Sequence, residues 1–201
     1  MSSDTRDRIR AAALGEFCER GYGACVDDIA RRAGVVKQTL YHHYGSKDSL
    51  FREALVGLAE ELFVDLESSN GSLREDLLRF AESFRAKTLS EQGVALTRMI
   101  IAESPRFPEL SRTVFEAGHL ASRSLARRLR QAMARGELRD DDEGFAADML
   151  LSLLSGKERD QMLFGLAVDP VHRAGRVERI IDCFLRAYAP EATPARQKGS
   201  H

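Results

Sequence analysis

Apolar residues recur along this chain at intervals of three and four, and no stretch of five or more alternates cleanly between apolar and polar. That spacing places apolar side chains on one face of a helix, whereas a strand needs a period of two. The chain is therefore expected to be all-α. With 201 residues, 43% of them hydrophobic and 30% charged, it can bury a core and lacks the composition of an unfolded chain.

Turn residues divide the pattern. The first predicted helix spans residues 5–19, with Ile9, Ala13, Leu14 and Phe17 inward and Gly21 as its stop. Short helices follow at 26–33, with Val26, Ile29 and Ala30 inward, and at 37–44, ended by Gly34 and Gly45. Joined at "RAGVVK", they make a helix-turn-helix candidate. From Ser46, a capping residue, the helices lengthen: one runs to residue 69 on a stripe of Phe51, Leu55, Leu58, Leu62 and Leu66. Ser72 and Glu75 form a capping box opening a helix that buries Leu77, Phe80, Ala81 and Phe84. Further helices are expected at 91–103, 108–135, 143–165 and 173–188. The implied organisation is a three-helix head (1–46), a larger helical body (47–189) and a flexible tail (190–201).

The formal net charge is −1, so a nucleic-acid footprint has to be local rather than global. Cys18, Cys25 and Cys183 form no CxxC pair, which fits a reduced compartment. The amino terminus lacks the apolar core of a secretory signal, and no run approaches the roughly 18 apolar residues of a membrane span. A cytoplasmic protein without membrane contact is expected. No nucleophile elbow, phosphate loop or Glu-x-x-His pair is present, so neither enzyme activity nor a cofactor or metal is anticipated. His42 and His43 project about 100° apart on a helix and share a metal poorly.

In a helix-turn-helix the second helix enters the major groove while flanking groups grip phosphates. Within "AGVVKQTLYHHYGSKDSLF", Lys37, Gln38 and Thr39 occupy the start of that helix, within reach of base edges. Tyr41 and His42 are candidates for phosphate or thymine-methyl contacts, and Lys47 for a phosphate at a helix start. Leu40 and Tyr44 are assigned to packing.

The stretch "IRAAALGEFCERGYGACVDDIARRAGVVKQTLYHHYGSKDSLF" resembles the TetR family of bacterial transcriptional repressors. It carries Phe-x-x-x-Gly-Tyr, Asp-Ile-Ala, Ala-Gly-Val, Thr-Leu-Tyr-x-His and Ser-Lys-x-x-Leu in the family's order. The resemblance implies a homodimer on double-stranded DNA, with one head per subunit and a helical domain for effector binding and dimerisation. It depicts a ligand-responsive regulator, a repressor on a palindromic operator, released when a small apolar effector draws the dimer into a splayed state with the helix after Ser46 as lever. The alternative is a protein-interaction module whose head has lost DNA binding. Cys25 and Val36 favour that alternative, because they stand where the family has a capping Ser or Thr, whereas Gln38, in place of a frequent Gly, adds a candidate base reader.

In the body, "ESPRFPEL" and "GELRDDDEGFAADMLLSLLSG" are similar to AcrR/AefR-like effector domains. Phe63, Phe80, Phe84, Met99, Phe107, Phe115 and Met149 are candidates for lining an apolar cavity, each with plain core as its other assignment, and His119 is a candidate polar handle. The resemblance places dimerisation on the last two helices, with Leu150, Leu154, Ile181 and Phe184 as contacts. "GKERDQ" is unusually charged for such a seam. "SRSLARRLRQAMARG", with Arg123, Arg127, Arg128, Arg130 and Arg135, is either a second DNA contact or a surface covered by arginine stems.

Overall fold

The computed structural model describes residues 3–67, 71–168 and 175–190. Among them are nine helices and no strand: α1 (Ser3–Arg20), α2 (Val26–Ala33), α3 (Lys37–Tyr44), α4 (Lys47–Glu67), α5 (Leu73–Thr88), α6 (Glu91–Glu103), α7 (Pro108–Ala134), α8 (Glu143–Leu163) and α9 (Arg176–Ala187). The side chains of Leu58, Leu62, Phe63 and Leu66 lie outside the described set, as do residues 191–201.

The head closes on Ile9, Ala13, Phe17, Ile29 and Leu40, all at most 2% exposed. Full burial of an isoleucine, leucine or phenylalanine side chain is worth about 1.5–3 kcal/mol. Gly34, with φ 66°, ends α2 by a pair of returning bonds, its own N–H to the Arg31 carbonyl (3.1 Å) and that of Val35 to Ala30 (3.0 Å). The left-handed conformation of that residue suits glycine. Arg32 ties α2 to α1 through Glu16 (3.2 Å) and Glu19 (2.8 Å), and its guanidinium occupies the space a side chain at Gly15 would need. The core does not stop at residue 46: Leu50, Phe51, Ala54 and Leu55 of α4 and Leu96 and Met99 of α6 belong to the same cluster.

A second cluster fills the body, built from α5, α7, α8 and α9 around Leu77, Phe80, Leu125, Leu129, Leu150 and Phe184. The expected capping box opens α5: Ser72 Oγ accepts from the Glu75 N–H (3.3 Å), and the Glu75 carboxylate accepts from the Ser72 N–H (3.0 Å). Asp142 caps α8 by accepting the Phe145 N–H (2.9 Å). Inside, Asp76 receives Arg128 Nη2 and Arg79 Nη2, each at 2.7 Å.

Helix α8 departs from the expected continuous rod. Gly156 has φ 54° and ψ −175°, breaking the helix at the start of "GKERDQ". The break releases the Leu154 carbonyl, which accepts Arg85 Nη1 at 2.6 Å, and turns Glu158 inward onto Arg85, with Arg176 Nε 3.5 Å away. Of the charges in this segment, Glu158 is thus buried where three helices meet, whereas Lys157 and Asp160 stay exposed. At the far end of α8, Arg98 of α6 donates to the carbonyls of Leu163 (2.9 Å) and Met162.

Leu150, Leu154, Ile181 and Phe184, expected at a dimer contact, are buried within their own chain. All four are 0% exposed, because the apolar stripes of α8 and α9 face the second cluster.

Candidate nucleic-acid interface

Leu40 and Tyr44 turn into the head, and this fixes the rotation of α3. With about 100° between successive residues, Lys37, Gln38, Tyr41, His42 and His43 then face outward, and Thr39 is half-buried at the edge. Tyr41 is 45% exposed. Among the described residues α3 packs on α2 and α4, and its polar flank is not tucked beneath the body.

Neither short helix has a side-chain cap. Cys25 and Val36 occupy the two capping positions without a capping bond. The Cys25 thiol instead donates to the Asp27 carboxylate at 3.4 Å, and Val36 is 67% exposed. Asp27 also accepts from Lys37 Nζ at 2.8 Å. That bond raises the Lys37 ammonium above its usual range and lowers the Asp27 carboxyl below its own. The first base-reading candidate is therefore tethered across the turn to the helix before it.

Lys47 is placed differently from a free phosphate-binding lysine. Ser46 Oγ accepts the Ser49 N–H (3.0 Å) at the start of α4. The Lys47 ammonium folds back over the Tyr22 ring (4.9 Å to its centre) and the Phe17 ring (5.9 Å). Burial there holds it below the usual lysine range. Tyr22, pushed above the ordinary tyrosine value by burial and by its hydrogen bond to Asp48, completes this corner.

The arginines of α7 split into two sets. Arg128 is buried on Asp76. Arg123, Arg127, Arg130 and Arg135 are exposed, with Arg130 on Asp140 (2.7 Å) and Arg135 near Glu137 (3.8 Å). The acids missing from the helix itself arrive from the turn that follows it.

The cavity candidates are not brought together. Phe80 is buried and Phe84 and Met149 half-buried in the body cluster, whereas Met99 and Phe107 belong to the head cluster. Phe115, 70% exposed, and His119 lie on the surface of α7. A cavity of about 220 Å³ exists elsewhere, between Leu14 and Cys18 of α1 and the corner joining α5 to α6. Leu14, expected on the inner face of the first helix, and Leu96 are both buried in the head cluster, and the approach of α1 to α6 leaves this space beside them.

A three-helix head presenting one polar helix face, fixed by α4 to a larger helical body, defines a helix-turn-helix DNA-binding regulator. The pattern of "Bacterial regulatory proteins, tetR family" matches residues 9–54, and that of "AefR-like transcriptional repressor, C-terminal domain" matches residues 75–190, more than half of the chain. The chain belongs to the TetR family and is a ligand-responsive transcriptional regulator. Among solved structures it is similar to the flavonoid-responsive regulator FrrA, with 33% identity, TM-score 0.71, and 95% of this chain and 100% of that one covered. A TetR-family regulator from Mesorhizobium loti MAFF303099 superposes with TM-score 0.76 at 25% identity, over 94% and 100% of the two chains. The regulator UidR of Escherichia coli K12 is 29% identical over 161 residues, 76% of this chain and 79% of that one. The repressor KstR2 of Rhodococcus jostii is 42% identical over 62 residues, so the match spans only 30% of its length.

Proposed function

We propose that two copies of this chain bind a palindromic operator in the cytoplasm, each inserting α3 into a major groove, and repress transcription until a small, largely apolar effector releases them. The single observation that carries this reading is the outward polar face of α3, anchored from behind by Leu40 and Tyr44. Gln38 and Thr39 read bases, Lys37 joins them on leaving Asp27, and Tyr41, His42 and Lys47 serve the backbone. The head through residue 46 is the DNA-binding unit, and the body carries effector binding and dimerisation. The protein acts by binding rather than by catalysis.

For the dimer contact, exposed apolar side chains are the relevant set: Phe145 and Leu153 on α8 and Phe164 just past its end are 64%, 41% and 81% exposed. Such groups suit the apolar centre of an interface. Effector binding shifts the population of head spacings, and α4, shared by head core and body, transmits the shift.

The test is titration of a palindromic promoter fragment at several salt concentrations. Affinity should fall steeply with salt. Gln38→Ala should relax preference at one base position, and Lys47→Gln should weaken all sequences alike. If neither substitution changes binding, the residue roles fall; if no fragment binds, the head is an interaction module instead.

A further inference from the structure

Every lysine and arginine of the stretch from Arg20 to Lys37 is committed to a carboxylate. Arg20 and Arg31 both sit on Asp28, Arg32 on Glu16 (3.2 Å) and Glu19 (2.8 Å), and Lys37 on Asp27 (2.8 Å). The helix-turn-helix thus carries these cations as neutral pairs, in a chain whose formal net charge is −1. Of the four, Lys37 is the one that opens α3, where side chains reach base edges. Its partner is held from a second side, because Asp27 Oδ2 also accepts the Cys25 thiol at 3.4 Å. The bond pushes the Lys37 ammonium up and the Asp27 carboxyl down from their ordinary values, so both are charged at neutral pH. Their side chains are 47% and 56% exposed; charge rather than packing keeps them together.

Two competitors can draw Lys37 away, and they differ in strength. A phosphate exchanges one anion for another and leaves the Asp27 carboxylate bare beside the DNA backbone, which the first helix of such a pair crosses. A guanine edge offers two acceptors in a fixed geometry. Good contacts of that kind discriminate by about five- to a hundredfold, against about fivefold at most for an exposed ion pair. The base edge overcomes the pair; the phosphate does not. We propose, on the reading of α3 as the groove helix, that Asp27 is a specificity-determining residue: it keeps Lys37 neutralised on DNA with no guanine edge in register and yields it where one is present. Lys37 is thereby a base reader and not a general phosphate grip, and Asp27 acts through it.

The test measures binding of the full chain to the palindromic promoter fragment and to a fragment of unrelated sequence, by fluorescence anisotropy at several salt concentrations. On the unrelated fragment Asp27→Asn should bind about two- to fivefold more tightly per head, with a salt slope steeper by about one per head. Lys37→Met should cancel both gains in that variant and cost far less in the otherwise wild-type chain. On the promoter fragment Lys37→Met should cost at least about fivefold in either background. Asp27→Glu, which keeps the charge, should remove most of the gain; a gain as large as that of Asp27→Asn would trace the effect to a disturbed α2 and overturn the proposal. Equal Lys37→Met losses on unrelated DNA with and without Asp27, or an unaltered salt slope in Asp27→Asn, would overturn it too. A wild-type chain that prefers the promoter fragment while its variants give any of these results keeps the regulator reading and loses the role of Asp27; a chain that binds neither fragment loses both.

Discussion

The ring of Phe107 lies 4.9 Å from that of Tyr22, tilted by 59°, so the residue that opens α7 ends inside the aromatic core of the head. Tyr22 in turn meets Phe17 and Phe51 at 5.6 and 5.3 Å. Phe107, a cavity candidate with plain core as its other assignment, packs as a joint between the two parts of the molecule.

Removing that joint should loosen the whole chain. Phe107→Ala is expected to lower stability by about 1–3 kcal/mol, from lost burial and ring contact, and Phe107→Leu by less. Urea unfolding of the full chain measures it. An unchanged midpoint for the alanine variant would mean that the ring contributes nothing to the seam.

Restoring the missing caps should act in the opposite direction. Cys25→Ser and Val36→Thr supply an acceptor for the first turns of α2 and α3, where none exists now, and each should add about 0.5–1 kcal/mol. In a chain of this size that raises Tm by roughly 2–4 °C per kcal/mol. Calorimetry showing no gain from either would place the capping need elsewhere, in backbone or solvent.

The bend in α8 should tolerate no side chain. Gly156→Ala forces a Cβ into a backbone conformation that only glycine adopts readily and brings it within 3.1 Å of Arg176 Nη2, at a cost of about 1–3 kcal/mol. Wild-type thermal stability in this variant would show that the bend is not held.

Breaking the charge cluster beside that bend should be costlier than replacing it. Arg85→Met leaves the Glu158 carboxylate buried with a lost partner and should cost about 3–5 kcal/mol. Combining it with Glu158→Met should recover most of the loss. A double-mutant cycle by chemical denaturation decides, and additive losses would deny the coupling.

Alkaline stability follows from the tyrosines. Burial raises Tyr22, Tyr44 and Tyr188 above the ordinary value of 10.0. The folded state therefore keeps protons that the unfolded chain gives up, and their contribution is intact below pH 10 and lost as pH rises through the folded values. Denaturation midpoints should be level on the neutral side of that pH and fall beyond it. A level profile throughout would contradict the burial of these hydroxyls.

The head was legible because its signals are local. Gly34 and Gly45 stop α2 and α3, and the residues between them alternate between buried and exposed as their period demands. The body was legible in its helices but not in what those helices face. Phe80, Phe115 and Leu150 all sit on apolar stripes, yet one fills the core, one meets solvent and one is sealed within its own subunit. Periodicity tells which side of a helix is apolar and is silent about whether that side meets a neighbour, a hollow or a second chain. The bend at Gly156 left a trace in the charged run after it, but its cause, an arginine arriving from α5, is distant in sequence.

Arg98 gives the molecule a mechanical wiring of its own. It sits on the helix that walls the cavity beside α1 and grips the last carbonyls of α8, so α6 cannot slide without tugging the stretch that ends in Phe164. Under the proposed pairing at Phe164, a displacement of α6 would reach the second copy through this one guanidinium.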